Sequence, residues 1–332
     1  MAQKERWIEY TKRADFNAWA EALHITPLTA RLLRNRDIMT IEEARAYLYG
    51  TMDDLADPYL MKDMDKGVRL IEQAVSEGAR IGIVSDFDDD GIFAAQILYE
   101  GLLNIGSEAV IYTPDRVSEG YGLNQRIVDE AKKDGIKVLL TCDNGIAAIE
   151  EVAYAKSLGM TVIVTDHHEV QLTLPEADAV IDPKQKGCRY PYKGLCGAGV
   201  AFRMIQVLYS HYGIPAEKEE ELYEYAAIAT VADVMELKGE NRIIVKAGLE
   251  RLRHTEKISL KAIMEVCSLE MQKVSAYHIG FVIGPCFNAV GRLRTAELAF
   301  DLLRTKDQVT AIELAREIHE LNEERKKQTE EG

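Results

Sequence analysis

The sequence predicts an α/β protein with an open, mostly parallel sheet and flanking helices, followed by a mostly helical region. Short apolar runs alternate with amphipathic segments over residues 79–196, and strands that alternate with helices usually pair in parallel. From about residue 197 the apolar positions follow a helical period instead. Residues 306–332 are charged and lack a helix stop signal, which predicts a long C-terminal connecting helix.

The first 78 residues predict a helical segment that packs on the core. Thr40 opens "TIEEARAYL" (40–48) as a helix cap, and Glu43 stands three positions later, at the spacing of a capping box. "MDKGVRLIEQAVSEG" (64–78) is amphipathic and ends at a glycine, which is a common helix stop.

The main domain is expected over residues 79–305, and its first part, 79–196, contains the sheet. Apolar runs predict strands at 80–86, 108–113, 136–143, 160–166 and 177–182. Amphipathic segments between them predict helices at 91–106, 123–135 and 147–159. Because crossovers between parallel strands are right-handed, the carboxyl ends of successive strands should lie along one edge.

The second part of this domain, residues 197–305, is predicted to be helical. The helical period is clearest at 198–213, 220–234, 241–253 and 259–267. The charged tail, most regular at 310–332, would then lead away from the domain as the connecting helix.

Composition places the chain among globular proteins. Of 332 residues, 47% are apolar and 29% are charged, and no run approaches the roughly 18–20 apolar residues of a membrane span. The N-terminus has no apolar signal segment, so we expect a cytoplasmic protein that does not bind membranes. The net charge of −15 argues against nucleic acid as a partner. However, a site that gathers carboxylates around cations lowers the charge without repelling phosphate once the cations are bound.

The cysteines predict neither a disulfide framework nor a zinc ribbon, because they are odd in number, scattered and without C-x-x-C spacing. We expect buried free thiols at all five positions: Cys142, Cys188, Cys196, Cys267 and Cys286.

Acidic and histidine side chains follow three of the predicted strands. In an open α/β sheet, ligands bind outside the carboxyl ends of the strands, so these clusters should lie side by side although they span some 80 residues. A fourth candidate ends an apolar helix in "TVADVMEL". The residues concerned are Asp86, Asp88 and Asp90 after the first strand, Asp143 after the third, Asp166, His167 and His168 after the fourth, and Asp233 in the helix.

Converged carboxylates and imidazole are the ligands of Mn²⁺, or of Mg²⁺ with less preference for histidine. So many carboxylates indicate two divalent ions, the arrangement used for phosphoester hydrolysis. An EF-hand is excluded because the twelfth position counted from Asp86 is Ile97. Each motif alone also fits a simpler structure, such as a solvated acidic turn, a type I′ turn or a helix cap.

The motifs "DFDDDG", "TCDNG", "TDHH" and "VADV", in that order, resemble the four motifs of the DHH phosphoesterase superfamily. Further segments, including "DRVSEGYGL", "GLCGAGVAF" and "IGPCFNAVGRL", resemble its RecJ-type exonucleases, which degrade single-stranded DNA from the 5′ end. The resemblance runs from about residue 15 to the C-terminus.

The resemblance implies a set of site residues. Two Mn²⁺ or Mg²⁺ ions would be held by Asp86, Asp88, Asp90, Asp143, His167 and Asp233, with Asp143 bridging. His168 would face the scissile phosphate, and Asp166 would orient an imidazole. Contacts to DNA are implied for Arg116, Tyr121, Asn288 and Arg292.

Glycines and unusual residues raise further expectations. The loop "CGAG" (196–199) could offer backbone N–H groups to a phosphate, although helix packing explains it equally well. Asp89 stands where the family has a small or apolar residue; we expect it to point away from the ions because alternate positions of an extended segment face opposite ways. Arg294 replaces a common acidic residue. RecJ-type chains also continue into a DHHA1 domain and often an OB-fold domain, so this chain resembles the catalytic core alone.

The expected function is therefore metal-dependent 5′→3′ hydrolysis of single-stranded DNA in repair and recombination. The protein is expected to be a monomer, and its expected protein partners are a single-strand-binding protein and a helicase. Two alternatives stay open: a phosphodiesterase for short oligonucleotides or cyclic dinucleotides, and a replication scaffold that is not an enzyme.

Overall fold

The computed structural model describes residues 12–116 and 118–331. The chain divides into two compact units, Met1–Leu55 and Ala56–Gly332. The division at residues 78 and 79 that the sequence favours stays a prediction.

In the first unit, residues 12–55 form three short α-helices, α1 (Phe16–Leu23), α2 (Pro27–Asn35) and α3 (Ile41–Tyr49). Trp19, Leu23 and Leu33 lie in its apolar core. The predicted cap of α3 is confirmed, because the backbone N–H of Glu43 donates to Thr40 Oγ1 at 3.1 Å. The Glu43 carboxylate accepts from the N–H of Met39 at 2.6 Å, one residue before the partner that a capping box requires.

The second unit is built on a five-stranded parallel sheet, which confirms the predicted fold class. Its strands have the order β2-β1-β3-β4-β5, and every neighbouring pair is parallel. Their bounds are β1 (Ile81–Ser85), β2 (Ala109–Tyr112), β3 (Val138–Cys142), β4 (Thr161–Thr165) and β5 (Ala179–Ile181). The helices before and between them are α4 (Met64–Ser76), α5 (Asp89–Asn104), α6 (Gln125–Lys133) and α7 (Ile149–Ser157).

The strand order creates a crevice at one edge of the sheet. The chain passes from β1 to β2 on one side and then returns to place β3 on the other side of β1. A reversal of this kind leaves an opening at the carboxyl ends of the two central strands, where ligands bind in such folds. All residues of β1 and β3 are buried, so their ends are fixed by packing on both faces.

The remainder of this unit is helical, as predicted. Two of its helices, α8 and α9, pack against α5. The bounds are α8 (Gly197–Tyr212), α9 (Ala216–Ala232), α10 (Gly239–Leu252), α11 (Ile258–Val266), α12 (Ala276–His278), α13 (Gly284–Leu293), α14 (Glu297–Arg304) and α15 (Gln308–Glu331), with a π-helical turn at Ile279–Ile283.

The last helix, α15, packs against α11, α13 and α14. Its apolar stripe is buried at Ala311, Ala315, Ile318 and Leu321, so this part of the charged tail belongs to the packed unit. Within the described ranges, no helix is both long enough and apolar enough to cross a membrane.

Candidate metal centre

Three neighbouring strands are each followed directly by an aspartate. Asp86 follows β1, Asp143 follows β3 and Asp166 follows β4, and these strands are adjacent in the sheet. All three carboxylates are nearly inaccessible to solvent. The strand ends therefore bring these three side chains to one edge, which is the juxtaposition that the sequence predicts.

Asn144 fixes the geometry of this edge, and the sequence did not single it out. Its Nδ2 donates to the backbone oxygens of Val84 at 2.9 Å and Cys142 at 2.8 Å, while its Oδ1 accepts from the N–H of Leu123 at 3.2 Å. Asp143 has a left-handed backbone with φ of 60°. Asn144 thus ties the ends of β1 and β3 together while the chain turns sharply before it.

His167 stands at the centre of three carboxylates. Its Nε2 lies 3.0 Å from Asp143 Oδ1, 3.5 Å from Asp90 Oδ2 and 3.9 Å from Asp233 Oδ2. Asp233 reaches this position as the cap that ends α9, and the next residue, Val234, has a φ of 58°. A β-branched residue rarely adopts that conformation, so the packing around the site holds this turn in place.

The donor atoms fit a divalent cation. Asp143 Oδ1 and Asp233 Oδ2 are buried and have no hydrogen-bond partner in the described part of the chain, even though His167 Nε2 is near both. Buried polar atoms are normally paired. Oxygen and imidazole donors that face one another without bonding are arranged as ligands of a hard or borderline ion such as Mn²⁺ or Mg²⁺.

Burial, together with repulsion between the carboxylates, raises several pKa values at this edge. Burial, followed by the charge of Asp88, raises the pKa of Asp86 to about 7. Burial and Asp90 raise the pKa of Asp233 to about 7, and the same influences raise that of Asp143 well above its usual range. Divalent cations at these atoms would relieve this cost, because they stabilise the charged carboxylates.

Asp90 binds the start of α8. Its Oδ2 accepts from the N–H of Gly197 at 2.6 Å and its Oδ1 from that of Ala198 at 2.8 Å. A Cβ on Gly197 would lie 2.5 Å from Asp143 Cβ. The suggestion that the glycine loop offers these N–H groups to a phosphate is therefore wrong: a carboxylate of the site occupies them, and close packing explains Gly197.

The "DFDDDG" segment is not extended throughout, because α5 begins at Asp89. Asp88 caps the helix by accepting from the N–H of Gly91 at 3.0 Å. A Cβ on Gly91 would lie 2.6 Å from the carbonyl oxygen of Asp86, so the turn requires glycine. We expected Asp89 to point away from the ions because side chains alternate along an extended segment. That physical reason is wrong, since Asp89 and Asp90 occupy the first turn of a helix.

Asp89 turns toward α13 and not toward His167. Its Oδ2 accepts from Asn288 Nδ2 at 2.9 Å, and its N–H donates to Asn288 Oδ1 at 3.2 Å. Asn288 was expected to contact DNA, but both the oxygen and the nitrogen of its side-chain amide are engaged in joining α13 to the start of α5.

Asp166 positions His168. Its Oδ1 accepts from His168 Nδ1 at 2.7 Å and from the N–H of His167 at 2.7 Å, while Oδ2 accepts from the N–H of Ile146 at 2.9 Å. The bond to Asp166 outweighs burial and raises the pKa of His168 to about 9. Burial would raise the pKa of Asp166, but the bonds from His168 and the backbone hold it below its usual value.

His168 faces a cavity of about 660 Å³ that Asp86, Asp143 and Asp166 also line. More than half of its side chain is exposed, at 57%. The imidazole is therefore held by Asp166 on one side and open to a ligand on the other.

The sequence analysis did not single out a fourth carboxylate that directly follows a strand. Asp182 follows β5 and is fully buried. Its Oδ1 accepts from the N–H of Lys184 at 2.7 Å, while its Oδ2 has no hydrogen-bond partner within residues 12–116 and 118–331. Burial raises the pKa of Asp182 to about 7. Its position after the last strand of "ADAVID" was the signal available in the sequence.

A second depression borders Asp88 and Asp233. The ring of Phe87 lies between Arg116, whose guanidinium carbon is 5.3 Å from the ring centroid, and Tyr121, whose ring centroid is 5.0 Å away. Arg292 lines the same depression with Asn288. In the described residues neither Arg116 nor Arg292 forms an ion pair with a carboxylate.

The fold and the site define a member of the DHH class. Residues 80–232 match the family model described as "DHH family, N-terminal domain". The crystal structure of an exonuclease RecJ bound to manganese is 34% identical in sequence and superposes with a TM-score of 0.74. The match covers 80% of this chain and 67% of that one. The chain belongs to the DHH family and, within it, to the RecJ group.

Two further relatives support this assignment. RecJ from Thermus thermophilus, solved in complex with Mn²⁺, is 31% identical and has a TM-score of 0.80; the match covers 94% of this chain and 44% of that one. The single-stranded-DNA-specific exonuclease RecJ of Bacillus subtilis strain 168 is 40% identical over 328 residues, which are 98% of this chain and 41% of that protein. The chain thus spans about half, or less, of the curated relatives it matches.

Proposed function

We propose that this chain carries the catalytic site of a metal-dependent exonuclease that hydrolyses single-stranded DNA from its 5′ end. The observation that carries the proposal is the convergence of Asp90, Asp143 and Asp233 on Nε2 of His167, at the sheet edge where ligands bind. Asp86 and Asp88 would complete the ligand set, and two Mn²⁺ or Mg²⁺ ions would be the cofactors.

Bound divalent ions supply a low-pKa water as nucleophile and neutralise phosphate charge. Asp143 would be the ligand that the two ions share. In the metal-free chain the hydrogen bond to Asp166 raises the pKa of His168 to about 9, which favours the protonated imidazole. Held by Asp166, it would donate a hydrogen bond to a phosphate oxygen, where negative charge grows in the transition state.

The aromatic and basic residues beside the site suit a single strand. Proteins that bind single-stranded nucleic acid stack bases on aromatic rings and contact the backbone with cations. Tyr121 is 70% exposed and its ring packs on Phe87, while Arg116 and Arg292 line the adjoining depression. These four side chains would guide the strand toward His168.

The relatives support the substrate class, because they are named as exonucleases specific for single-stranded DNA. The 5′→3′ polarity rests on the motif resemblance. On the same resemblance we infer a monomer that works with a single-strand-binding protein and a helicase in DNA repair and recombination, and we retain the expectation of a cytoplasmic protein.

The test uses Asp143→Ala and the matched control Asp129→Asn, which removes an exposed carboxylate on α6. Single strands labelled at the 5′ or the 3′ end are incubated with Mn²⁺ and with EDTA. We expect the unmodified chain and Asp129→Asn to release label from the 5′ end only with Mn²⁺, and Asp143→Ala to release none while keeping its circular dichroism.

Other outcomes would contradict the proposal in distinct ways. Release from the 3′ end alone would refute the polarity, and hydrolysis in EDTA would refute the metal requirement. Faster turnover of a dinucleotide than of a long strand would favour the phosphodiesterase alternative. Absence of hydrolysis in every protein, with folds intact, would favour the scaffold.

A further inference from the structure

Two cysteines and a histidine from three different helices meet at a place remote in sequence from the DHH motifs. Cys267 caps the end of α11, Cys286 lies in α13 and His319 lies in α15. The two sulfurs are 3.8 Å apart, and Cys267 Sγ is 3.7 Å from His319 Nδ1. All three donor atoms lie within 4.8 Å of one another.

The two separations that involve Cys267 Sγ match the edges of a zinc tetrahedron. With Zn–S bonds of about 2.3 Å, Zn–N bonds of about 2.05 Å and tetrahedral angles, two sulfurs lie about 3.8 Å apart and a sulfur and a nitrogen about 3.6 Å apart. The observed distances of 3.8 and 3.7 Å agree with both values. We propose that Cys267, Cys286 and His319 form a second metal site, which binds Zn²⁺ or a similarly thiophilic divalent ion.

The surroundings suit a bound thiolate. Asn322 is buried and directs its Nδ2 at Cys286 Sγ, 3.6 Å away. It stands three residues after His319, so both side chains lie on one face of α15. An N–H group that donates to a ligating sulfur orients the ligand and stabilises its charge.

One side of the site is accessible to solvent. Cys286 is fully buried, whereas Cys267 and His319 are half-buried. Three protein ligands with an opening to solvent leave the fourth position of a zinc tetrahedron to water or to an outside ligand. The expectation of five buried thiols therefore fails at Cys267, and also at the half-buried Cys188.

Neither alternative use of the thiols explains the histidine. A disulfide requires sulfurs about 2.05 Å apart, and the two sulfurs here are separated by 3.8 Å. Inert buried thiols would be surrounded by apolar side chains, whereas Cys267 contacts an imidazole nitrogen and Cys286 an amide.

An ion at this site would join three helices that are separate in sequence. It would fix α15 to α11 and α13 through direct bonds, in addition to the apolar stripe. Because α13 also carries Asn288 and Arg292, the ion would hold the helix that borders the proposed DNA path. The site is chemically distinct from the DHH centre, whose ligands are oxygens and one imidazole.

Cobalt spectroscopy on the full chain tests the proposal, because thiolate ligands give Co²⁺ a strong near-ultraviolet charge-transfer band that oxygen ligands do not give. The reduced, metal-free protein is titrated with Co²⁺ alone. We expect one thiolate-bound equivalent, displaced by Zn²⁺. Cys267→Ser and His319→Gln, at the two half-buried positions, should each weaken cobalt binding in this band at least about tenfold.

Two controls and two contrary results complete the design. Cys188→Ser and Asp143→Ala should leave the band unchanged, since neither residue belongs to the cluster. Absence of the band from the folded, reduced protein would overturn the proposal, as would its survival in both ligand variants. A Cys267–Cys286 disulfide in protein purified without reductant, together with no cobalt band after reduction, would assign the pair to redox chemistry instead.

Discussion

Raising the pH should destabilise the metal-free chain through Asp86. Burial and the charge of Asp88 raise the pKa of this carboxyl to about 7 in the folded protein, whereas an unfolded chain has an Asp pKa of about 3.9. Between these values the folded state holds a proton that the unfolded state has lost. Stability therefore falls as the pH rises from about 4 to about 7, which is the opposite of an ordinary salt-bridged aspartate.

The size of the effect follows from the shift. About three pKa units, at about 1.36 kcal/mol for each unit, give an upper bound of about 4 kcal/mol for Asp86. That is a large share of the roughly 5–15 kcal/mol by which domains are stable. The carboxyl is only 6% exposed, so solvent screens little of it. Cations that replace the proton should recover most of this loss.

Urea unfolding of the unmodified chain and of Asp86→Asn at pH 5 and pH 7.5, in EDTA and in Mn²⁺, measures the effect. The difference between the two proteins cancels shared groups such as His167, whose pKa burial lowers and whose pH dependence runs the other way. In EDTA, Asp86→Asn should gain up to about 2.5 kcal/mol on the unmodified chain between pH 5 and pH 7.5, because about 1.5 kcal/mol of the total effect is already lost by pH 5. A difference that stays constant or changes sign would refute the reasoning.

Two other experiments probe how the centre is held. Gly197→Ala should destabilise the fold by about 1–3 kcal/mol through overpacking, because its Cβ would lie 2.5 Å from Asp143 Cβ. The same substitution should weaken Mn²⁺ binding measured by calorimetry. In the control Gly199→Ala the atom nearest the new Cβ is 3.3 Å away, so equal losses in both variants would contradict the packing argument. In a double-mutant cycle of Asp89→Ala and Asn288→Ala, urea unfolding should give a coupling free energy of about 1–3 kcal/mol, since each single substitution removes the bond from Asn288 Nδ2 to the buried Asp89 carboxylate. Additive effects would show that this bond contributes nothing.

The sheet and the convergence of its acidic ends could be predicted from the sequence because both follow from local patterns. Each strand is a short apolar run between helical segments, and parallel strands necessarily end at one edge. Because Asp86, Asp143 and Asp166 each follow such a run, the sequence is enough to predict that these side chains lie at one edge of the sheet. The order of the strands is not a local property, so the adjacency of β1, β3 and β4 required the structure.

Contacts between distant segments explain what the sequence could not predict. Asp90 is engaged by backbone N–H groups at residues 197 and 198, and Asp89 by a side chain 199 positions away. The beginning of α5 at Asp89 changed the direction of two carboxylates, because a helical first turn does not alternate as a strand does. The meeting of Cys267, Cys286 and His319 likewise depends on how three helices pack.

The convergence on His167 also sets the moment during synthesis when the centre can first exist. Asp233 follows Asp86 by 147 residues (233 − 86). At about 5–20 residues per second a ribosome needs roughly 7–30 s to add them. During that interval the emerging chain acquires the strand-end carboxylates one after another, without the cap of α9 that completes their set. The complete centre can therefore form only after residue 233 has been made, and ions meet its full ligand set only from then on.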